Sequence, residues 1–318
     1  MKEHIITKNS AGQRLDKYLT KAIPALPPSL MHKYFRLKRI KVNGKRAEAA
    51  YRLVENDTVQ LYINDEFFET PNAQEAYLRV SDLLDIVYED ENILLVNKPI
   101  GMVVHEDESG KDDTLINRIK AHLYRSGEWD PADSPFAPSL CNRIDRNTQG
   151  IVIAAKNAES LRILNEKIKE REIDKYYVCL VHGTPKPAHG ILKNFLRRDT
   201  NEKRVFIDKD RSHGALTAET EYTVLSTKGS LSLLRCRLLT GRTHQIRAQL
   251  AAAGHPLVGD TKYGTAAQNK GLPFKGQTLC SHKLIFSFKT DAGILSYLTG
   301  RSFEVENIDF KDWFYRIR

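Results

Sequence analysis

The pattern of apolar and polar positions along the chain predicts a series of β-strands. In residues 57–63, Val59, Leu61 and Ile63 occupy every second position, which places one face of a strand against a core. Residues 151–155 form an uninterrupted apolar run directly after a turn, which also predicts a strand. Further strands are predicted for residues 86–88, 93–96, 175–183, 219–225, 232–239 and 279–288, of which 219–225 and 232–239 are expected to pair.

Apolar residues three or four positions apart predict helices between these strands. In residues 158–173, Leu161, Leu164 and Ile168 lie on one helical face with charged residues between them. Helices are also predicted at residues 14–19, 30–39 and 115–122, and another opens within 240–247 and ends before Gly254. The chain therefore mixes helices and strands, and its 318 residues suffice for one or two domains with apolar cores.

Two segments are predicted to be loops by their composition. Residues 129–139 contain Pro131, Pro135 and Pro138, which interrupt both helix and strand hydrogen bonding. Residues 197–211 are rich in arginine and lysine and lack a sustained apolar period, so this segment is predicted to be a mobile basic loop. The aromatic residues Trp313, Phe314 and Tyr315 are expected to dock the C-terminal tail.

The positive charge of the chain is concentrated near its N-terminus. The net charge is +9 and the isoelectric point is about 9.2. Residues 11–62 carry eleven Lys or Arg against four acids. Several of these cations cluster at the end of the predicted helix 30–39 and at the Asn-Gly hairpin turn that follows; the candidates for binding a polyanion are Arg36, Lys38, Arg39 and Lys45. The alternative is an ordinary solvated helix face, since lysine and arginine normally lie on the surface.

An acidic segment separates this basic region from the rest of the chain. Residues 65–91 contain nine acids and only one cation, Arg79. This change of sign, together with Pro71 and Asn72, predicts an exposed connection. The predicted boundaries are a first domain at 1–64, a linker at 65–82 and a larger domain at 83–318.

Several classes of protein and site are disfavoured by what the sequence lacks. It has no run of about 18 apolar residues and no signal peptide, which predicts a cytoplasmic protein without membrane contact. The four cysteines are widely spaced and are expected to be reduced thiols. His244 has no second metal ligand at a fixed spacing, and no nucleotide-binding glycine loop is present, so neither a metal nor an organic cofactor is expected. A monomer is expected.

The residues with the strongest chemical potential lie in the stretch Cys141–Gly150, directly before the apolar run. Asp145 stands between Arg143 and Arg146, and two nearby guanidinium groups would favour the ionised carboxylate. Thr148 and Gly150 supply a turn before the strand, so a loop could present this carboxylate as a nucleophile. From spacing alone, an ordinary surface salt bridge at a turn is the favoured interpretation.

This stretch resembles the signature of the RluA-like (Rlu-type) pseudouridine synthases, in which an Arg-Ile/Leu-Asp triplet is followed by a turn and an aliphatic strand. Asp145 occupies the position of the catalytic aspartate in that family. Asn142 stands where a histidine is usual, and Gln149 stands where serine or threonine is usual. Tyr177 lies in a second shared motif, in which Cys179 replaces the usual alanine. The Lys-Pro-x-Gly segment at 98–101 and the block 240–264 also resemble the family.

The resemblance implies an α+β fold with two domains. The first would be a small α/β domain similar to the S-four RNA-binding domain, which binds structured RNA through its backbone. The second would be a larger catalytic domain built on a mixed, mainly antiparallel sheet with flanking helices and loops.

The resemblance also implies isomerisation of uridine to pseudouridine in RNA, without a cofactor. Asp145 would act on the ribose and Tyr177 would contact the detached base. Arg247 would orient Asp145, and a planar two-point ion pair between them is expected. Arg143 would fill the stack left by an extruded uridine, and Arg242 would contact phosphate. Large-subunit ribosomal RNA is the favoured partner, and transfer RNA remains possible.

Two other functions remain open at this stage. A ribosome-assembly or RNA-binding factor could retain the fold without activity, and the unusual Gln149 is the main support for that interpretation. A carboxylate-based nucleoside hydrolase is the other, although the sequence lacks the aspartate cluster of a metal-dependent hydrolase. For Tyr177, a position in an ordinary strand core is the alternative to a functional role.

Overall fold

A computed structural model describes residues 2–68, 75–106, 110–132, 136–199, 202, 204–208, 210–211 and 214–317 of the chain. Its strands form two separate sheets. The N-terminal unit contains β1 (Lys2–Ile5), α1 (Leu15–Ala22), α2 (Pro28–Arg36), β2 (Ile40–Val42), β3 (Lys45–Arg46) and β4 (Thr58–Leu61).

The larger unit contains the remaining elements. They are β5 (Ile86–Glu89), β6 (Ile93–Lys98), α3 (Leu115–Arg125), β7 (Ser139–Leu140), β8 (Gln149–Ala155), α4 (Ala158–Lys169), β9 (Ile173–His182), β10 (His189–Asp199), β11 (Arg204–Asp208), β12 (Leu216–Lys228), β13 (Leu231–Leu238), α5 (Gln245–Ala252), α6 (Ala266–Asn269), β14 (Leu279–Phe286), β15 (Ser302–Glu304) and α7 (Asp309–Arg316).

The small N-terminal sheet has the strand order β1-β4-β2-β3 and packs against the two helices. The hairpin between β2 and β3 turns at Asn43 and Gly44, which both have positive φ, as expected for an Asn-Gly turn. Helix α2 ends at Arg36, earlier than predicted, because Lys38 adopts a φ of 59°. Lys38 and Arg39 therefore lie on the short connection to β2 and not on the helix.

The large sheet has the order β11-β10-β12-β13-β9-β14-β8-β6-β5, with β15 added to β14 and β7 added to β8. Strands β14 and β8 are parallel, and the other strand pairs in the described part of this sheet are antiparallel. This arrangement confirms the predicted α+β fold with a mixed, mainly antiparallel sheet. The pairing of β12 with β13 is also confirmed.

Both faces of the centre of this sheet are covered, which explains the uninterrupted apolar run of β8. Ile151 and Ile153 face the core formed with α4 and α7, whereas Val152 and Ala154 face the core formed with α3 and α5. A strand buried on both sides has no polar face, so its sequence shows no alternation. Tyr177 belongs to the core on the α3 and α5 side, and this side also holds the candidate site.

The prediction of a mobile basic loop at 197–211 is wrong for most of the residues that the structure describes in this segment. Residues up to Asp199 continue β10, and Arg204–Asp208 form β11, which pairs with β10 in an antiparallel hairpin. Arg197 is held across this pair by Asp208, at 2.9 Å between Nε and Oδ2.

Part of the predicted linker packs against the larger unit. Residues Glu75–Arg79 form a 3-10 helix, and Tyr77 and Val80 are buried. The ring of Tyr77 lies edge-on to Trp129, with 5.2 Å between the ring centroids. The residues Pro71 and Asn72, on which the linker prediction depended, lie outside the described residues. The domain boundaries stay a prediction.

Gly150 occupies a position where two strands approach too closely for a side chain. A Cβ at this residue would lie 2.3 Å from the carbonyl oxygen of Ser281 and 2.6 Å from its nitrogen, and the φ of Gly150 is 120°. The contacted atoms belong to the backbone of β14, which pairs with β8 at this residue. Neither strand can move aside without breaking the sheet.

We therefore expect Gly150→Ala to lower the free energy of unfolding by about 2–4 kcal/mol, through overpacking and backbone strain. Gly254→Ala is a matched control, because Gly254 also has a positive φ, of 87°, but no atom lies within 4 Å of the position that its Cβ would take. The control should lose only about 1 kcal/mol. Urea unfolding measures both variants, and equal losses would contradict the close-contact explanation.

Candidate active site

A cleft of about 880 Å³ opens on the α3 and α5 side of the large sheet. Its lining includes all five residues of the larger unit that the sequence singled out: Asp145, Tyr177, Arg247, Arg143 and Arg242. They come from three separate segments, namely the loop before β8, strand β9 and the region around the start of α5. The fold therefore brings together residues more than one hundred positions apart in sequence, as the 102-residue separation of Asp145 and Arg247 illustrates.

The loop that carries Asp145 is fixed at both ends by hydrogen bonds. At its start, the side-chain oxygen of Asn142 accepts a 2.8 Å hydrogen bond from the backbone nitrogen of Ile153 in β8. At its end, the backbone nitrogen of Thr148 donates to the carbonyl oxygen of Asp145 at 3.0 Å, which closes the turn. Asn142 thus has a structural role at the position where the related family usually has a histidine.

Lys98 anchors the same loop from the end of β6. Its ammonium group is completely buried and donates to three carbonyl oxygens, those of Pro99, Met102 and Arg146, at 2.8–2.9 Å. Burial lowers the pKa of Lys98 to about 7, although the nearby Asp145 carboxylate acts in the opposite direction. Lys98 therefore ties the Lys-Pro-x-Gly turn to the residue that follows Asp145.

Arg247 lies between two carboxylates. Its Nη1 donates one hydrogen bond of 2.7 Å to Oδ2 of Asp145. Its Nε and Nη2 donate to the two oxygens of Asp260, at 2.7 and 3.1 Å. The expected ion pair with Asp145 is present, but the predicted two-point geometry is wrong, because the planar two-point pair is made with Asp260. Asp145 receives only the remaining nitrogen.

The two ion pairs differ in burial, and this difference suggests separate roles. The side chains of Arg247 and Asp260 are 8% and 0% exposed, whereas that of Asp145 is 25% exposed. Burial alone would raise the pKa of Asp260, but Arg247 and the backbone nitrogens of Lys262 and Tyr263 hold it below its ordinary value. Asp260 thus keeps Arg247 charged and in place, while Asp145 stays open to the cleft.

Tyr177 and His244 supply neutral polar groups beside Asp145. Burial raises the pKa of Tyr177 to about 12, although a hydrogen bond with Ser281 acts to lower it. The hydroxyl of Tyr177 is therefore protonated near neutral pH. Burial lowers the pKa of His244 to about 4, although the negative charge of Asp145 acts to raise it. His244 Nε2 lies 3.8 Å from Oδ2 of Asp145, and Nδ1 lies 2.9 Å from the hydroxyl of Tyr263.

The other sequence-predicted cations occupy two places. Arg143 and Arg242 are exposed at the cleft, and Nε of Arg242 donates to the carbonyl oxygen of Thr217 at 3.1 Å. The four N-terminal candidates do not line the cleft; Arg36, Lys38, Arg39 and Lys45 are all exposed on the small unit. Gln149 is half-buried and donates to the carbonyl oxygen of Asn307 at 3.3 Å. This residue therefore contacts the C-terminal segment.

Asp260 and Lys98 are the site residues that the sequence analysis missed. Both lie in segments whose resemblance to the family was noted, but without a stated role for either side chain. Asp260 follows an apolar pair, Leu257 and Val258, and a glycine, which is a signal for a buried turn. A carboxylate at such a turn requires a cationic partner, and that requirement could have directed attention to Arg247.

Within the described residues, no group of three or more His, Cys, Asp and Glu side chains is arranged to hold a metal ion. None of the described helices combines the length and the apolar character that crossing a membrane requires.

Comparisons with known proteins show which family the chain is similar to. The model of the RNA pseudouridylate synthase family matches residues 92–252, a segment that includes Asp145, Tyr177 and Arg247. An uncharacterized RNA pseudouridine synthase of Mycoplasma genitalium is 32% identical over 315 residues, which cover 98% of this chain and 96% of that protein. Ribosomal large subunit pseudouridine synthase C of Escherichia coli is 32% identical over 285 residues, which cover 86% of this chain and 83% of that protein.

A solved structure shares the fold. The structure of human RNA pseudouridylate synthase domain containing 4 is 21% identical, with a TM-score of 0.56, and the likeness covers 74% of this chain and 91% of that one. The family match over half of the chain and the relative that spans nearly all of it confirm the family resemblance found in the motifs: the chain belongs to the RNA pseudouridylate synthase family.

Proposed function

We propose that Asp145 acts as the nucleophile of a uridine isomerase and that the target uridine is turned out of its RNA into the cleft. The observation that carries this proposal is the state of the Asp145 carboxylate. One of its oxygens is held by Arg247, yet the side chain remains partly open to the cleft, beside the buried hydroxyl of Tyr177. An oriented, accessible anion next to an aromatic ring suits attack on a sugar carbon and rotation of a detached base.

The reaction consumes nothing. Asp145 attacks C1′ of the ribose while the bond between C1′ and N1 of the uracil breaks, and N1 takes the electron pair. The uracil turns against Tyr177, C5 then bonds to C1′, and the carboxylate leaves. C5 loses its proton and N1 gains one. Arg247 holds Asp145 in position through these steps, and its own position is fixed by Asp260.

Large-subunit ribosomal RNA is the proposed substrate. One relative, from Escherichia coli, carries that substrate in its name and aligns with 86% of this chain. Pseudouridine mapping across total RNA tests the proposal, with cells that contain the protein compared with cells that lack it. Loss of one or more sites in large-subunit RNA is expected. Loss of sites only in transfer RNA would identify transfer RNA as the substrate instead. Identical pseudouridine maps in the two kinds of cell would favour an RNA-binding factor without activity.

Extrusion of the uridine assigns a role to Arg143. This side chain is exposed at the cleft, in the loop that carries Asp145 and two residues before it. A planar guanidinium can stack between bases and replace the contacts of the departed uridine. Arg242 lies three residues before the start of α5 and is exposed at the cleft, where it can contact a phosphate.

The hydroxyl and the ring of Tyr177 can be separated by mutation. Tyr177→Phe keeps the ring and should lower turnover by at least about 10²-fold, because the protonated hydroxyl is proposed to give its proton to N1 and to take the proton that C5 loses. Tyr177→Leu should lower it further by removing the stacking surface. Tritium release from uridine labelled at C5 is the measurement. Full activity of the Phe variant would leave stacking as the only role of Tyr177.

The N-terminal unit is proposed to be an S-four-like domain that binds RNA. Arg36, Lys38, Arg39 and Lys45 are exposed on one segment of it, from the end of α2 to β3. A variant with all four changed to Ala should bind structured RNA more weakly and show a flatter dependence of log affinity on log salt. Each lost phosphate contact should remove roughly 0.7–0.9 from the slope. Turnover at saturating RNA should persist, and an unchanged slope would identify these cations as a solvated surface.

A further inference from the structure

The cleft extends beyond Asp145 along β9, away from the uridine position. Lys175 lies two residues before Tyr177 in this strand, so both side chains lie on the same face, with their Cα atoms about 7 Å apart. Both residues line the cleft, and so do Ile173 and Arg171 further back along the chain. We refer to the part of the cleft lined by Arg171, Ile173 and Lys175 as the β9 arm.

The backbone at Arg171 is unusual. This residue connects α4 to β9 and has a φ of 61°, a backbone conformation that residues other than glycine and asparagine adopt rarely. The turn is fixed by hydrogen bonds on both sides of it, from Arg171 nitrogen to Ile168 oxygen and from Glu172 nitrogen to Lys167 oxygen. It presents the exposed guanidinium at the mouth of the arm.

The positive charges of the arm lack carboxylate partners, although acids lie next to them in sequence. Glu172 points away and pairs with the buried Lys167 at 2.8 Å, and Asp174 pairs with Arg237 at 2.8 Å. Over the described residues, neither Arg171 nor Lys175 is within 4.0 Å of a carboxylate oxygen. Lys169, which also lines the cleft, differs in this respect, because its Nζ lies 3.5 Å from a carboxylate oxygen of Glu170.

Lys175 is moreover held in a partly dehydrated position. It is half-buried against Cys141, and burial lowers its pKa. Burial also raises the pKa of the Cys141 thiol to about 12, so this neighbour remains a neutral thiol at physiological pH and supplies no charge. An anion bound in the arm would compensate an ammonium group that the protein itself leaves without a counter-charge.

We propose that the β9 arm binds phosphate groups of the RNA strand next to the target uridine, with Lys175 contacting the nearer phosphate and Arg171 the next one. This inference rests on the proposed function, because it assumes that the uridine lies between Asp145 and Tyr177. A strand that enters there must continue along the cleft in one of its two directions. The side of Arg242 offers one exit, and the β9 arm offers a second exit lined by two cations.

The test uses the full chain and a single-stranded oligouridylate as the probe. Arg171→Gln and Lys175→Met keep most of each side chain's volume and remove its charge. Lys270→Gln is the matched control, since Lys270 is exposed, without a described carboxylate partner, and outside the cleft lining. Affinity is measured over a series of salt concentrations, and thermal unfolding checks that each variant is folded.

Each arm variant should bind the probe about fivefold more weakly and lose roughly 0.7 from the slope of log affinity against log salt. The control should match the wild type. In tritium release, Arg171→Gln should raise KM and leave kcat within about twofold. If both arm variants follow the control in affinity and slope, the arm is not a phosphate site. Arg171 is exposed, so its variant gives this answer even if Lys175→Met fails to fold.

The outcomes separate this inference from the proposed function. Flattened slopes for the arm variants, together with no pseudouridine formed by the wild type, would keep the arm as an RNA site and reject the isomerase mechanism. Normal pseudouridine formation by the wild type, together with unchanged slopes for the arm variants, would support the isomerase mechanism and reject the arm as an RNA site.

Discussion

Asp145→Asn is expected to abolish pseudouridine formation, with a loss of roughly 10⁴-fold or more, because an amide cannot replace a carboxylate that forms a bond to the sugar. RNA binding should stay within a few-fold of the wild type, since the exposed cations that contact phosphate are unchanged. The fold should also persist. Asn keeps the shape of the side chain and an oxygen for Nη1 of Arg247, whose other nitrogens stay paired with Asp260.

Tritium release from uridine labelled at C5 measures the loss of activity, and a binding titration with the same RNA measures affinity. Asp309→Asn is a suitable control, because it removes a carboxylate from the exposed first turn of α7 without altering the cleft. Turnover of Asp145→Asn close to that of the control would exclude Asp145 as the nucleophile. Parallel loss of binding and turnover would instead indicate that Asp145 orders the RNA site.

The local elements of the fold were largely predictable from the sequence because their signals are local. The apolar run of β8, the Asn-Gly turn at 43–44 and the helix ending before Gly254 each depend on a few neighbouring residues, and each is present in the structure. The position of Asp145 in a turn before a strand follows from the same kind of signal. Local signals do not show which residues that are distant in sequence come into contact.

The hairpin of β10 and β11 shows where the local signals fail. Strand β11 lies at the edge of the large sheet, and both strands carry charged residues that pair across the hairpin, such as Arg197 with Asp208. Strand β11 is only five residues long, and the apolar residues of its inner face, Val205 and Ile207, lie between charged ends, which is too short a pattern to show a period. The composition of this segment therefore resembles that of a loop, and the pairing is visible only in three dimensions.

The partner of Arg247 shows the same limit at the site itself. Asp145 and Asp260 are both plausible from sequence, because each is a carboxylate in a motif that resembles the family. The distances assign the two-point pair to Asp260 and leave one nitrogen for Asp145. The geometry of a guanidinium between two carboxylates depends on how α5 packs against β10, β11 and β12 and on where the 257–263 turn places Asp260, and no local pattern encodes that packing.

The pairing of Arg247 leads to the second large effect, which concerns stability. Arg247→Ala should lower the free energy of unfolding by about 3–5 kcal/mol, because it leaves the fully buried carboxylate of Asp260 without its cation. Turnover should also fall strongly, since Asp145 loses the group that orients it. Asp145→Ala should cost much less stability, because its carboxylate is partly exposed and water can replace the lost hydrogen bond.

Double-mutant cycles distinguish the two carboxylates. In Asp260→Ala/Arg247→Ala both members of the buried pair are absent, so the combined loss of stability should be smaller than the sum of the single losses by about 2–3 kcal/mol. The cycle of Arg247 with Asp145 should give a coupling below about 1 kcal/mol. Urea unfolding supplies the free energies for both cycles. A larger coupling with Asp145 than with Asp260 would contradict the separation of roles, in which Asp260 holds Arg247 and Arg247 presents Asp145 to the ribose.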